Sequence, residues 1–141
     1  MKQAINIFAA LAAAVACATI VRPVDAHHSM VMYDRLKTAT LTGTVVELQW
    51  TNPHVFLLVN GRVNEGDQPA VWRLETSSPT NLARLGGWSA TALKPGDRVS
   101  IAINPLREGV GKNARLTKVT LVDTGQELGT AYLDLDLVRP K

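Results

Sequence analysis

Short runs in which apolar residues alternate with polar ones limit the fold of this chain most strongly. A period of two is typical of β-strands that have one face in a core. Over residues 41–45 the apolar or small side chains keep one phase, and over residues 46–50 they keep the other. A slip of one residue indicates a β-bulge, and Gly43 in the same run favours strong coiling. We therefore predict a bent first strand, as small barrels have.

Four further strands and one short helix follow from the same reasoning. The apolar run 54–59 predicts a second strand that ends at an Asn60-Gly61 turn. A helix of about two turns is predicted to begin after Ser78, which can cap it, and to end at Gly86-Gly87. The remaining strands are predicted over residues 70–76, 98–103 and 115–122. This order predicts an all-β, five-stranded Greek-key barrel of the oligonucleotide- or oligosaccharide-binding (OB) type, with a small β-sandwich as the alternative.

The amino terminus has the pattern of a secretion signal. Lys2 precedes an almost wholly apolar stretch over residues 4–21, and small or aliphatic residues lead to a cleavage site after Ala26. The prediction is export to the periplasm, with acylation of Cys17 as a lipoprotein the less favoured alternative. The chain then divides into a signal peptide (1–26), an N-terminal arm (27–38) and one β-barrel domain (39–141).

Charge and cysteine content narrow the function after signal removal. Cleavage takes two of 15 basic residues and one of 12 acidic residues, so the mature chain is nearly balanced and nucleic acid has little electrostatic reason to bind. The single Cys leaves with the signal, which excludes disulfides and thiolate chemistry. No stable membrane span is expected after signal removal.

Several strings together resemble a known family. They are His-His-Ser at 27–29, Tyr-Asp at 33–34, Leu-Thr-Gly-Thr-Val at 41–45, Trp-Thr-Asn-Pro-His at 50–54, Ser-Pro at 78–79 and Leu-Lys-Pro-Gly-Asp at 93–97. The chain resembles family 6152 of domains of unknown function, which are short exported bacterial proteins. The resemblance implies an exported location and a small β domain, and it implies no activity, substrate or catalytic residue. Met30 departs from the aromatic residue that often follows His-His-Ser in that family.

The histidines predict a copper site. After cleavage His27 offers an α-amine and an imidazole from one residue, and a third nitrogen from His54 completes a histidine brace, an arrangement that favours Cu(II). His28 offers a rival binding mode through the amine and the intervening amide. Met30 and Met32 add thioethers, which Cu(I) prefers. The plainer interpretation is a soluble leader and a His54 that bonds within a turn, and zinc is disfavoured because no Cys supplies a fourth ligand.

An aromatic face is the second candidate site. Trp50, Trp72 and Arg73 lie on or beside the second and third predicted strands, where such barrels bind organic ligands. Trp50 and Trp72 fit a core equally well, and Trp88 is predicted to plug one end of the barrel. The sequence lacks Gly-x-Ser-x-Gly and His-Glu-x-x-His motifs, so catalysis is not expected, although a copper redox role stays open.

These observations predict an exported β-barrel that binds a small ligand or a periplasmic protein, with copper as its most testable ligand. The alternative is a structural or partner-binding module that uses its aromatic face and no metal. Near the C-terminus Leu133, Leu135 and Leu137 alternate with Asp134 and Asp136. That alternation predicts a closing edge strand whose acids keep the edge solvated, with a metal-binding or acid/base pair of the two acids as the less favoured alternative.

Overall fold

A computed structural model describes residues 31–130 of the chain. The predicted signal peptide with its Cys17 and Ala26 sites, the donors His27, His28 and Met30, and the predicted strand around Leu135 lie outside that range. The strands are β1 (Ala39–Gln49), β2 (Phe56–Arg62), β3 (Ala70–Glu75), β4 (Arg98–Pro105), β5 (Asn113–Leu121) and β6 (Glu127–Gly129). A helical turn α1 (Pro79–Asn81) runs directly into a π-helical turn (Leu82–Gly86).

The strands close into a barrel. The sheet order is β3-β2-β1-β4-β5-β6, and a parallel pairing of β3 with β5 joins the two sides. β6 pairs with β5 as an additional strand. The predicted small all-β barrel with one short helix between its third and fourth strands is confirmed, because closure distinguishes it from two open sheets.

The predicted bulge lies in β1. Register with β2 shifts between Val45 and Glu47, as the phase slip in the sequence indicates. The prediction that Val46 shares the apolar face is wrong, since this side chain is 42% exposed. Val46 is the extra residue of the bulge and has no partner position on β2.

The prediction that Asn60-Gly61 ends β2 is also wrong. β2 continues to Arg62, and Gly61 pairs with Gly43 of β1. A Cβ on Gly61 would lie 2.4 Å from the carbonyl oxygen of Thr42. Glycine stands here because two strand backbones approach closely, and the actual turn follows over residues 63–67.

The core fills the interior of the barrel. Ser78 caps α1 by accepting a hydrogen bond from the Asn81 amide, and Gly87, at φ 69°, ends the π-helical turn. Trp88 is buried, and its indole nitrogen donates to the carbonyl of Gly129 at 2.8 Å. The fully buried large side chains include Leu41, Leu57, Leu74, Leu82, Ile101, Ile103 and Leu116. Over residues 31–130, none of the helical segments has the length and apolar character needed to cross a bilayer.

Candidate functional site

His54 lies in the connection between β1 and β2, beside the end of β3. Backbone hydrogen bonds join Val55 to the chain just after β3, where the Val55 amide donates to Ser77 and the Thr76 amide donates to Val55, each at 3.0 Å. These bonds hold the His54 backbone next to Glu75, the last residue of β3. The position of the histidine is therefore set by main-chain bonds on its C-terminal side.

His54, Glu75 and Tyr33 form one hydrogen-bonded chain of side chains. Nδ1 of His54 lies 2.5 Å from Oε1 of Glu75, and the Tyr33 hydroxyl donates to Oε2 of Glu75 at 2.7 Å. The His54 side chain is 28% exposed, whereas that of Glu75 is 7% exposed. A carboxylate that accepts from Nδ1–H selects the tautomer in which Nε2 is the nitrogen with a free lone pair. The arrangement thus prepares the Nε2 atom of His54 as a ligand.

Glu75 is buried although the strand pattern puts it on the outer face. Val71 and Arg73, which share its phase on β3, are exposed. Tyr33, itself buried, covers Glu75 from the N-terminal arm. The period of two places Glu75 on the same side of β3 as Arg73, and the sequence analysis did not identify Glu75 as a site residue. Two features of the sequence point to Glu75. One is the Tyr-Asp string, whose tyrosine covers it, and the other is His54, whose ring can bond to a nearby carboxylate.

A row of buried polar residues crosses the outer face beneath the arm. Arg115 of β5 is in register with Glu75 of β3 and with Asn104 of β4, and all three are at least 95% buried. The Asn104 side chain donates to the carbonyl of Lys37 at 2.8 Å. Residues in register on neighbouring strands point to the same side of a sheet, so these three side chains form the surface on which the arm lies.

Backbone bonds fix the arm along the end of β4. The Asp34 amide donates to Pro105 and the Arg107 amide donates to Met32, each at 2.8 Å, and Tyr33 forms a bridge with Leu106. Met32, one of the predicted thioether donors, is 48% exposed. It lines a cavity of about 430 Å³ with Val31 and residues 106–108.

The predicted aromatic face is not assembled as one surface. Trp72 belongs to the core with 8% exposure, and Trp50 is half-buried against that core. Arg73 points to the opposite side of β3 from Trp72, and its guanidinium lies 3.4 Å from the ring centroid of Phe56. The cation and aromatic ring that meet at this surface are therefore Arg73 and Phe56.

The described residues include the predicted ligand His54 but do not form a complete metal site. Between residues 31 and 130, no group of three or more His, Cys, Asp or Glu side chains is placed to hold a metal ion. Of the other predicted donors, only Met32 falls within that range. A metal held by His54 would take further ligands from outside it.

Fold and site together define a small closed β-barrel whose N-terminal arm covers a buried carboxylate paired with a histidine. The chain belongs to the Family of unknown function (DUF6152), whose model matches residues 13–115. This match confirms the resemblance read from the sequence strings. It spans Tyr33, His54 and Glu75. Neither the curated proteins nor the solved structures contain a match to this chain.

Proposed function

We propose that this protein is an exported, non-catalytic β-barrel that binds Cu(II) through His54 and the first residue of the mature chain, His27. The observation that carries the proposal is the contact of His54 Nδ1 with the buried carboxylate of Glu75. Histidines that bind metals almost always give their second ring nitrogen to a carboxylate, carbonyl or water, which orients the ring and raises its basicity. In His54 the second ring nitrogen, Nδ1, is bonded to the Glu75 carboxylate in this way.

The N-terminal arm supports the same site because Tyr33 bonds to the carboxylate that holds His54. Six residues of chain lead from Tyr33 back to His27. An extended chain of that length spans up to roughly 20 Å. The chain between them is therefore long enough for His27 to share a copper ion with His54.

The ligand chemistry favours copper over other divalent ions. His27 contributes an α-amine and an imidazole as a chelate, and His54 contributes a third nitrogen in the brace geometry. Nitrogen ligands bind Cu(II) most tightly among first-row divalent ions. His28 provides the rival chelate, and the thioethers of Met30 and Met32 would retain copper after reduction to Cu(I).

The first experiment is the intact mass of the exported protein, followed by a Cu(II) titration of the same sample monitored by electron paramagnetic resonance. The expected results are a chain that starts at His27 and one tightly bound copper with nitrogen hyperfine structure. Variant H54A should keep its circular dichroism spectrum and lose at least about tenfold in copper affinity. A variant with one glycine added before His27 should lose a similar factor, because the α-amine becomes a peptide amide.

A second comparison tests the carboxylate. E75Q should weaken copper binding by about 10- to 100-fold, the range typical of partners that orient a metal-binding histidine. E127Q is the matched control, since Glu127 is an exposed glutamate that bonds Lys118 on β5. Thermal unfolding of both variants separates an affinity change from a loss of fold. Equal copper affinity in the parent, H54A and E75Q would remove His54 from the site and leave copper to the rival chelate of the α-amine and His28. If the parent binds no copper, the metal-free alternative, partner binding at the surface of Arg73 and Phe56, is favoured.

A further inference from the structure

The N-terminal arm is a lightly packed segment that covers the site. Of residues 31–38, Tyr33 alone is buried, and Leu36 is 98% exposed. Backbone hydrogen bonds tie the arm to the end of β4. Segments that bury few apolar side chains open locally, at a fraction of the free energy that unfolding of the whole domain requires. The arm is therefore the part of the site that leaves the barrel most readily.

Glu75 depends on this cover for its hold on the histidine. The Tyr33 hydroxyl donates to Oε2 of Glu75 at 2.7 Å, and the other carboxylate oxygen, Oε1, lies 2.5 Å from Nδ1 of His54. A hydrogen bond away from water is stronger than a solvated one, because water does not compete for the same atoms. When the arm opens, Oε2 loses this donor and water takes its place. The contact that orients His54 then weakens.

Asn104 of β4 fastens the arm at a second point. Its side chain donates to the carbonyl of Lys37 in the arm at 2.8 Å. Asn104 and Glu75 lie on opposite sides of β5, each in register with Arg115. Neighbouring strands are about 4.8 Å apart, so the backbones of Asn104 and Glu75 are about 10 Å apart across the sheet. Asn104 can therefore act on His54 through the arm, without contact with the ring.

We propose that the arm and the His54–Glu75 pair open as one unit, so that undocking of the arm frees His54 from its carboxylate and lowers its affinity for copper. The common opening requires no metal, and its effect on copper rests on the proposed function. Coupling between two sites is reciprocal, so a bound copper ion in turn holds the arm on the barrel. Asn104 is then a positioning residue, and copper has a route of release while the barrel stays folded.

Hydrogen exchange of the metal-free mature protein tests the common opening. N104A should speed exchange of the Asp34 amide, which bonds across the arm and β4, about fivefold, the factor for one lost hydrogen bond. The Nδ1 proton of His54, followed by its low-field NMR resonance, should exchange faster by the same factor. T117V is the matched control, because the Thr117 hydroxyl donates to the Ala102 carbonyl at 2.9 Å and this bond does not involve the arm. It should change neither rate.

Two results of this experiment would overturn the proposal. One is a His54 proton that exchanges at the parent rate in N104A while the Asp34 amide exchanges faster, because the arm would then open without the pair. The other is an Asp34 amide that exchanges at the parent rate in N104A. Neither result would affect the copper site itself.

Copper tests the reciprocal effect. Saturating Cu(II) should slow exchange in peptides that contain the Asp34 amide at least about tenfold, because the partner that orients a metal-binding histidine is typically worth 10- to 100-fold in affinity. Copper bound at His27 also tethers the arm directly. Y33F separates the two effects, since it keeps the tether and removes the bond to Glu75. The protection that copper gives should be at least about threefold smaller in Y33F.

Equal protection of the parent and Y33F by bound copper would overturn the coupling and leave the proposed function intact. A parent that binds no copper would refute the proposed function and with it the effect of the arm on copper. The metal-free exchange of N104A would still decide the common opening. Failure of the coupling and failure of the copper site are therefore distinguishable.

Discussion

The pair Gly43 and Gly61 permits a quantitative test of how β1 and β2 pack. A Cβ added to Gly43 would lie 2.4 Å from the Asn60 carbonyl oxygen and 2.7 Å from the Gly61 Cα atom. Both contacts are with backbone, so no change of rotamer relieves them. Variant G43A must therefore push β2 outward by about 1 Å, in an interior that is packed as densely as an organic crystal.

The expected cost follows from two opposing terms. Overpacking typically costs about 1–3 kcal/mol, and contact with strand backbone puts G43A near the upper end. Replacement of glycine by alanine also lowers the entropy of the unfolded chain, which offsets about 0.4–1 kcal/mol. The net loss in the free energy of unfolding is about 2 kcal/mol, which lowers Tm by roughly 8 °C in a domain of this size.

Thermal and urea denaturation of G43A and G66A measure this difference. Gly66 is the matched control, because a Cβ there meets nothing within 4 Å and it lies in the turn after β2. G66A should be as stable as the parent or slightly more stable. Equal stability of G43A and G66A would refute the reasoning, because it would mean that β1 and β2 separate without cost.

Three further predictions concern single side chains. Y33F should lower the free energy of unfolding by about 1.5–3 kcal/mol in chemical denaturation, because the Tyr33 hydroxyl donates to a buried carboxylate. Unchanged stability would mean that this hydrogen bond does not hold the arm on Glu75. W72A should lower the free energy of unfolding by about 3–5 kcal/mol, as is typical for loss of a core tryptophan. A loss below about 1 kcal/mol would mean that Trp72 is not part of the core. Hydrogen bonding to Arg98 lowers the pKa of Asp123. The ion pair therefore stabilises the folded state at neutral pH, and this stabilisation is lost as pH falls through the pKa of Asp123. An NMR titration of R98A should return the Asp123 pKa toward its ordinary value, and an unchanged pKa would contradict the pair.

Local patterns in the sequence determined most of the barrel. Apolar patterns predicted β1 to β5, although not β6, and the phase slip after Val45 predicted the bulge. Ser78 and the glycine pair that ends at Gly87 predicted the short helical segment, because capping and left-handed glycine act within a few residues. These features depend on neighbours along the chain, so a single sequence is sufficient to predict them.

Only the tertiary structure decided what covers the outer face of the barrel. The period of two places Glu75 outside, and the arm buries it by a bond to Tyr33, which is 42 positions away in sequence. The same packing sends Trp72 into the core and leaves Arg73 outside, on Phe56. Gly61 reads as a turn residue until its strand partner, Gly43, is known. Burial and partner choice depend on which distant segments pack together, and no local pattern in the sequence contains that information.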